Sequence, residues 1–211
     1  MRLILIRHGQ TTWNAEGRVQ GHTDVPLSAL GRWQSERVAA RLASEPISAI
    51  YSSDLQRSLH TAQLIAVPHN LTVQTDARLR EISKGEWEGR DWQEVRALYP
   101  DVFAAWQANR DVVPHGAETL TQFAARLDTL LQAIKHRHAD QTILLVGHGG
   151  SLTMLICLAL GLEPQKRFNL IMHNTAVSEL RDYPEGLALF CLNDTCHLTD
   201  PAPDSTGDAR E

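Results

Sequence analysis

Two histidines occupy equivalent positions, each at the end of an apolar run and directly before a glycine. His8 comes two residues after the run 3–6, and His148 comes two residues after the run 142–146. A continuous apolar run of this kind indicates a strand that is buried on both faces, as in a parallel sheet. Ligands of open parallel sheets lie beyond the carboxyl ends of the strands. We therefore expect both imidazoles to face one crevice.

Two arginines accompany these histidines. Arg7 precedes His8, and Arg57 falls in the first turn of a helix predicted at 54–66, just after the second predicted strand. The helix dipole disfavours a cation there, so a bound anion explains Arg57 better than helix stability does. A solvated surface arginine is the alternative. Guanidinium groups match phosphate oxygens bidentately, so the set indicates a phosphate site.

A histidine within a phosphate site indicates covalent catalysis. A neutral imidazole is a competent nucleophile toward phosphorus. Guanidinium groups nearby disfavour the imidazolium form and keep the His8 ring neutral at physiological pH. The same positive charges stabilise the equatorial oxygens while the phosphoryl group transfers.

The leaving alkoxide needs a proton, which a carboxyl group close to the histidines would supply. Glu81 is the candidate acid, because it follows the third predicted strand. Glu86 and Glu88 are alternatives for the same role. A salt bridge from Glu81 to Arg78 or Arg80 is the competing structural interpretation.

Strands and helices alternate along the chain. Strands are predicted at 3–6, 47–51, 71–75, 142–146, 176–181 and 187–192. Helices are predicted at 28–43, 54–66, 118–136 and directly after His148. The last two strands flank a Pro-Glu-Gly turn and form an antiparallel hairpin. The alternation predicts an α/β layered fold with a mainly parallel sheet.

Composition excludes several classes of protein. The 211 residues are 43% apolar and 21% charged, the balance of a soluble globular protein. This length favours one domain, which we assign to 1–199, followed by a flexible tail at 200–211 that has nothing to bury. A net charge of −5 gives no general basic field for nucleic acid.

Cysteine usage and hydropathy predict a cytoplasmic protein. Three cysteines form no Cys-x-x-Cys pair and are interpreted as reduced thiols. The apolar run at 3–6 is shorter than the roughly 7–15 residues of a signal-peptide core. The longest apolar stretch, 152–162, is far below the roughly 20 residues that span a bilayer. We expect no association with membranes.

Several sequence blocks resemble a known family. Residues 7–14, Arg-His-Gly-Gln-Thr-Thr-Trp-Asn, resemble the signature of the histidine phosphatase superfamily in its phosphoglycerate-mutase-like branch. Further similar blocks follow in the family's order at 17–28, 51–58, 79–89, 114–119 and 146–150. The resemblance covers residues 1 to about 155. It implies a three-layer α/β sandwich, in which helices cover both faces of a six-stranded, mainly parallel sheet.

The resemblance also implies catalytic roles. His8 would accept the phosphoryl group as a phosphohistidine, while Arg7, Arg57 and His148 bind its oxygens. Glu81 would donate a proton to the leaving oxygen and later take one from water. The implied activity is a metal-independent phosphatase that acts on small phosphorylated metabolites.

Binding residues are implied by the same blocks. The Asn14 side chain and the backbone N–H of Gly149 would hold phosphate. Gln20 and Gly21 would lie at the mouth of the site, near the rest of the substrate. The resemblance implies neither a metal nor another cofactor.

The family also contains cofactor-primed phosphoglycerate mutases, which carry Glu-Arg-His-Tyr-Gly at the acid and an inserted segment. This chain has Glu-Ile-Ser-Lys-Gly at 81–85 and no long insertion before His148, which favours a phosphatase. Lys84 departs from the apolar residue that phosphatases usually have there. It would either meet a second anionic group or be solvated. A mutase and a non-catalytic phospholigand-binding module are the alternative functions.

Aromatic residues are concentrated in the segment 87–106. Trp87, Trp92 and Trp106 would form either a wall over the crevice or a satellite core that packs the segment on the sheet. Elsewhere, apolar surface along a sheet edge would allow two chains to pair as a homodimer.

Overall fold

A six-stranded mixed sheet forms the centre of the molecule. The computed structural model describes residues 1–199, so the predicted tail at 200–211 lies outside the described residues. The strands are β1 (Arg2–Arg7), β2 (Ala49–Ser52), β3 (Val73–Thr75), β4 (Thr142–Gly147), β5 (Val177–Tyr183) and β6 (Gly186–Asp194). Their order is β3-β2-β4-β1-β5-β6. The first four strands are parallel, and the predicted hairpin adds β5 and β6 antiparallel at one side.

Helices cover both faces of this sheet. They are α1 (Thr12–Ala15), α2 (Ala29–Leu42), α3 (Gln56–Ala66), α4 (Trp92–Leu98), α5 (Pro100–Ala108), α6 (Leu120–Arg137) and α7 (Gly149–Ala159). Within 1–199, none of them is long and apolar enough to cross a membrane.

The continuous apolar run of β1 serves two cores. Successive strand residues point to opposite faces. Leu3 and Leu5 therefore join the cluster formed with α6 and α7, whereas Ile4 and Ile6 join the cluster formed with α2 and α3. The predicted three-layer α/β class is confirmed.

Helices α4 and α5 were not predicted. They have seven and nine residues; Tyr99 separates them, and Pro100 is the first residue of α5. Segments this short do not repeat a 3.6-residue pattern often enough to be recognised. They surround a third cluster centred on Trp87, whose side chain is completely buried.

The register of the parallel strands brings the predicted site together. Arg7 pairs with Gly147, and Ser52 pairs with Val146, so three strands end at one level. The backbone N–H of His8 then donates to the Gly147 carbonyl at 3.0 Å. The loops after β1, β2 and β4 consequently lie side by side.

Candidate active site

A cavity of about 240 Å³ opens at these strand ends. Eight of the predicted site residues line it, namely Arg7, His8, Asn14, Gln20, Arg57, Glu81, His148 and Gly149. Gly21 does not line the cavity; it contributes its carbonyl oxygen to Arg57 behind the wall.

The His8 ring is held in a single tautomer. Its Nδ1 lies 2.7 Å from the carbonyl oxygen of Gly9. A carbonyl only accepts hydrogen bonds, so Nδ1 carries the proton and Nε2 keeps its lone pair. Burial lowers the pKa of His8 well below 6.5, and the charges of Arg57 and Arg7 lower it further. The ring is thus a neutral imidazole, as expected. Burial lowers its pKa more than the guanidinium charges do, although only those charges were expected to act.

Arg57 is completely buried, so the solvated alternative is wrong. Its guanidinium donates to the carbonyl oxygens of Thr23 at 2.8 Å and Gly21 at 2.7 Å, and its Nε donates to Nδ1 of His148 at 3.2 Å. Burial lowers its pKa to about 10, which leaves it cationic at neutral pH. Arg57 therefore supplies a fixed positive charge and also anchors the loop at the mouth.

His148 packs against His8 with ring centroids 5.1 Å apart. Because Arg57 donates to Nδ1, the neutral ring carries its proton on Nε2, which lies 3.3 Å from Oγ of Ser58. Burial, followed by the charge of Arg57 and the His8 ring, lowers the pKa of His148 well below 6.5. Both imidazoles are therefore neutral side by side.

Glu81 connects the loop after β3 with the start of α7. Its Oε2 accepts a hydrogen bond from the backbone N–H of Gly150 at 2.8 Å. Its Oε1 accepts one from its neighbour Ile82 at 2.9 Å. Two backbone donors thus hold the carboxylate at the edge of the cavity.

The competing interpretation of Glu81 as a salt-bridge partner is wrong. Arg78 pairs with Asp76, and Arg80 pairs with Asp54. Both arginines therefore bind carboxylates other than Glu81.

The alternative acids do not line the cavity. Glu86 is exposed. Glu88 accepts hydrogen bonds from the backbones of His22, Thr23 and Lys84 at 2.7–3.0 Å. Burial raises the pKa of Glu88, but the Thr23 hydroxyl and these amides lower it by more. Glu88 is therefore a carboxylate that shapes the mouth loop.

Arg7 and Asn14 are held from behind by the segment that precedes β5. Arg7 donates from Nη1 to the Met172 carbonyl at 2.7 Å, while its buried Nε has no partner within 1–199. Burial lowers its pKa. Asn174 donates to the His8 carbonyl at 2.9 Å and lies 3.5 Å from Oδ1 of Asn14.

Sequence reasoning missed two positioning residues, Asn174 and Arg126. Arg126 on α6 donates to the Glu81 carbonyl at 2.9 Å and is itself paired with Glu118. Neither residue carries a motif, since an isolated Asn in a loop and an Arg on a helix flank are ordinary surface choices.

The tryptophans divide between the two predicted roles. Trp87 is core, and its ring packs edge-on against Trp106 at 5.4 Å. Trp92 lines the cavity, as does Lys84. The segment is therefore both a satellite core and a wall of the site.

The arrangement has the parts of a phosphoryl-transfer site. A neutral imidazole offers Nε2, the guanidiniums of Arg7 and Arg57 offer fixed charge, and the Glu81 carboxyl group lines the same cavity. The start of α7 adds backbone N–H groups that favour an anion. Within 1–199, no three His, Cys, Asp or Glu side chains are grouped so that they could hold a metal.

Fold and site together define an enzyme class that handles phosphate esters through histidine. The chain belongs to the histidine phosphatase superfamily (branch 1), whose family model matches residues 3–195. It is 44% identical to phosphoglycerate mutase-like protein 4 of Arabidopsis thaliana over 157 residues, 72% of this chain and 68% of that protein. It is 34% identical to phosphoserine phosphatase 1 of Hydrogenobacter thermophilus over 199 residues, 94% of each chain.

A solved structure is similar over nearly its whole length. The putative alpha-ribazole-5'-P phosphatase of Escherichia coli superposes with a TM-score of 0.87 at 28% identity, over 92% of this chain and 97% of that one. The predictions of the family and of a phosphatase agree with these relatives.

Proposed function

We propose that this protein is a metal-independent phosphomonoesterase, which hydrolyses small phosphorylated metabolites through a phosphohistidine on His8. The observation that carries the proposal is the tautomer of His8. Its Nδ1 proton is donated to the Gly9 carbonyl, so Nε2 is unprotonated. The His8 ring lines the cavity. The phosphatase relatives support the reaction type.

In the first step, Nε2 of His8 attacks phosphorus in line with the ester oxygen. The N–P bond forms as the P–O bond to the leaving group breaks, and Glu81 gives its proton to the departing oxygen. Arg7, Arg57 and His148 stabilise the negative charge on the transferring group. The Asn14 amide and the backbone N–H of Gly149 complete this set of contacts.

In the second step, water attacks the phosphohistidine. Glu81, now a carboxylate, takes a proton from that water as the new P–O bond forms and the N–P bond breaks. Inorganic phosphate leaves, and both His8 and Glu81 return to their starting forms. The two steps together need neither an electron acceptor nor a metal. Gln20, which lines the cavity, contacts the remainder of the substrate, while Gly21 holds Arg57 from behind the wall.

The test is hydrolysis of p-nitrophenyl phosphate in excess chelator. His8→Ala is expected to abolish turnover, whereas His136→Ala, on the exposed end of α6, serves as the matched control and stays active. Acid-labile radiolabel from a phosphorylated substrate should appear on the wild-type protein and not on His8→Ala. Full activity of His8→Ala contradicts the proposal. Phosphate that binds but never turns over indicates a binding module, and bisphosphate-primed isomerisation of phosphoglycerate indicates a mutase.

We also propose a cytoplasmic location and a homodimer. The free thiols of Cys157, Cys191 and Cys196 support the location, which cell fractionation checks. The edge strand β6 supports the dimer, since Phe190 and Leu192 on it are exposed. Light scattering measures the mass, and Phe190→Asp should convert a dimer to a monomer. A wild-type monomer at high concentration contradicts the dimer.

A further inference from the structure

Three cations beside the cavity have no carboxylate partner. Lys84, Arg110 and Arg167 form no ion pair with any residue in 1–199. One buried guanidinium nitrogen of each arginine, Nη1 of Arg110 and Nε of Arg167, also lacks a hydrogen-bond partner there.

Two aromatic rings connect the three cations. Lys84 Nζ lies 5.0 Å from the Trp106 ring centroid, and Arg110 lies over the same ring at 3.7 Å. Arg110 also lies 4.9 Å from the Phe168 ring, on which Arg167 packs at 4.1 Å. Lys84, Arg110 and Arg167 thus form one cluster, which we call the triple-cation cluster.

The three positive charges of the cluster repel one another. Burial and the charges of Arg167 and Arg110 together lower the pKa of Lys84 to about 8. Burial also lowers the pKa of Arg167. The contacts with the aromatic rings do not remove the mutual repulsion, since the charges of Arg167 and Arg110 still lower the pKa of Lys84. The charges of Glu81 and Glu88 raise the pKa of Lys84, and that of Glu81 raises the pKa of Arg167, but both pKa values still lie below their ordinary values.

The cluster adjoins the phosphoryl site. Lys84 lines the cavity that contains His8, and Arg167 lines a second cavity of about 310 Å³. Arg7 and Gly149 line both cavities, so the two share a wall. The triple-cation cluster therefore reaches both the cavity that contains His8, through Lys84, and the adjoining cavity, through Arg167.

We propose that the triple-cation cluster is a subsite for a second anionic group on the substrate. The substrate class is then a small phosphomonoester that carries a carboxylate or a second phosphate on a short scaffold. This inference rests on the proposed function, since the phosphoryl group is taken to bind at His8. A second anion supplies the direct ion-pair partner that no residue in 1–199 supplies to these three cations.

Matched substrate pairs test the subsite. The carboxylate arm compares 3-phosphoglycerate with glycerol 3-phosphate, and the phosphate arm compares fructose 1,6-bisphosphate with fructose 6-phosphate. If the subsite accepts the second anion of a pair, kcat/KM of the wild type should be higher for the doubly anionic substrate than for its partner. We expect a ratio of about tenfold or more, as charge-assisted hydrogen bonds would give. Lys84→Met and Arg167→Met should each reduce that ratio toward one. Lys135→Met, on the far end of α6, should leave it unchanged.

Binding separates this inference from the proposed function. Calorimetry on His8→Ala measures affinity for the same pairs without turnover. If no compound is hydrolysed but the doubly anionic member binds about tenfold more tightly, the subsite stands and the phosphatase does not. If p-nitrophenyl phosphate is hydrolysed but the two members of each pair bind and react equally well, the subsite proposal is wrong and the phosphatase proposal stands. A discrimination that survives in both Lys84→Met and Arg167→Met also overturns it.

Discussion

The backbone N–H of Gly150 donates a hydrogen bond to Oε2 of Glu81 at 2.8 Å, across 69 positions of sequence. Gly150 stands in the first turn of α7, two residues after His148. The proposed acid is therefore positioned by the same helix start that follows the second histidine. Only glycine permits this approach, since a Cβ at position 150 would lie 2.0 Å from Oε1 of the carboxylate.

Gly150→Ala should displace the acid. The added methyl group forces the Glu81 carboxylate to move, and a misplacement of about 1 Å can reduce a rate by about 10². We expect kcat to fall by about that factor while the fold persists, because alanine favours a helix. Steady-state kinetics and thermal unfolding measure the two effects. Gly149→Ala is the comparison, since its Cβ meets Arg7 only at an ordinary 3.6 Å. Equal losses in both variants would contradict the positioning role.

Glu81→Gln should affect alkyl esters more than aryl esters. An alkoxide leaves poorly without a proton, whereas p-nitrophenolate needs none. For an alkyl phosphate, kcat/KM should fall by about 10²–10⁴, and for p-nitrophenyl phosphate by much less. The ratio kcat/KM reports transfer to His8 and excludes the later hydrolysis. A uniform loss for both esters would show that Glu81 is not the acid.

The two buried imidazoles should make stability fall in mild acid. Their pKa values are lower in the folded protein than the ordinary 6.5, so the unfolded chain binds protons first as the pH falls. The free energy of unfolding is unaffected above pH 6.5 and decreases below it, by up to about 1.4 kcal/mol per pH unit for each ring.

Urea unfolding between pH 7 and pH 5.5 measures this decrease. His148→Gln should show a shallower slope than the wild type, because one of the two rings no longer titrates. His197, whose pKa burial lowers to about 4, is present in both proteins and cancels in the comparison. Identical slopes would mean that the pKa of His148 in the folded protein is not lowered below that in the unfolded chain.

Trp87→Ala should remove the centre of the satellite core. Its ring is completely buried against Trp92, Phe103 and Trp106, so truncation should cost about 3–5 kcal/mol. Trp87→Phe should cost much less, because the buried Nε1 of Trp87 has no hydrogen-bond partner within 1–199. Chemical denaturation measures both. A similar cost for the two variants would mean that this nitrogen is satisfied in solution.

Several features could be predicted because they are encoded locally. The apolar runs before His8 and His148 indicated buried parallel strands, and the register of β1 with β4 brings the two histidines together. Ser28 marked the start of α2, where its Oγ accepts from the Gly31 amide at 3.0 Å. Such signals lie within a few residues of one another, so periodicity and capping chemistry reveal them.

Other features depend on contacts between distant segments. Three hydrogen bonds of the site join residues more than 30 positions apart. They run from Arg57 to Thr23, from Arg126 to Glu81 and from Asn174 to His8. The sequence by itself determined which chemical groups stand at the strand ends. Only the tertiary structure decided their tautomers, the burial that keeps both imidazoles neutral and the adjacent triple-cation cluster, because desolvation and side-chain contacts exist only once the layers have packed.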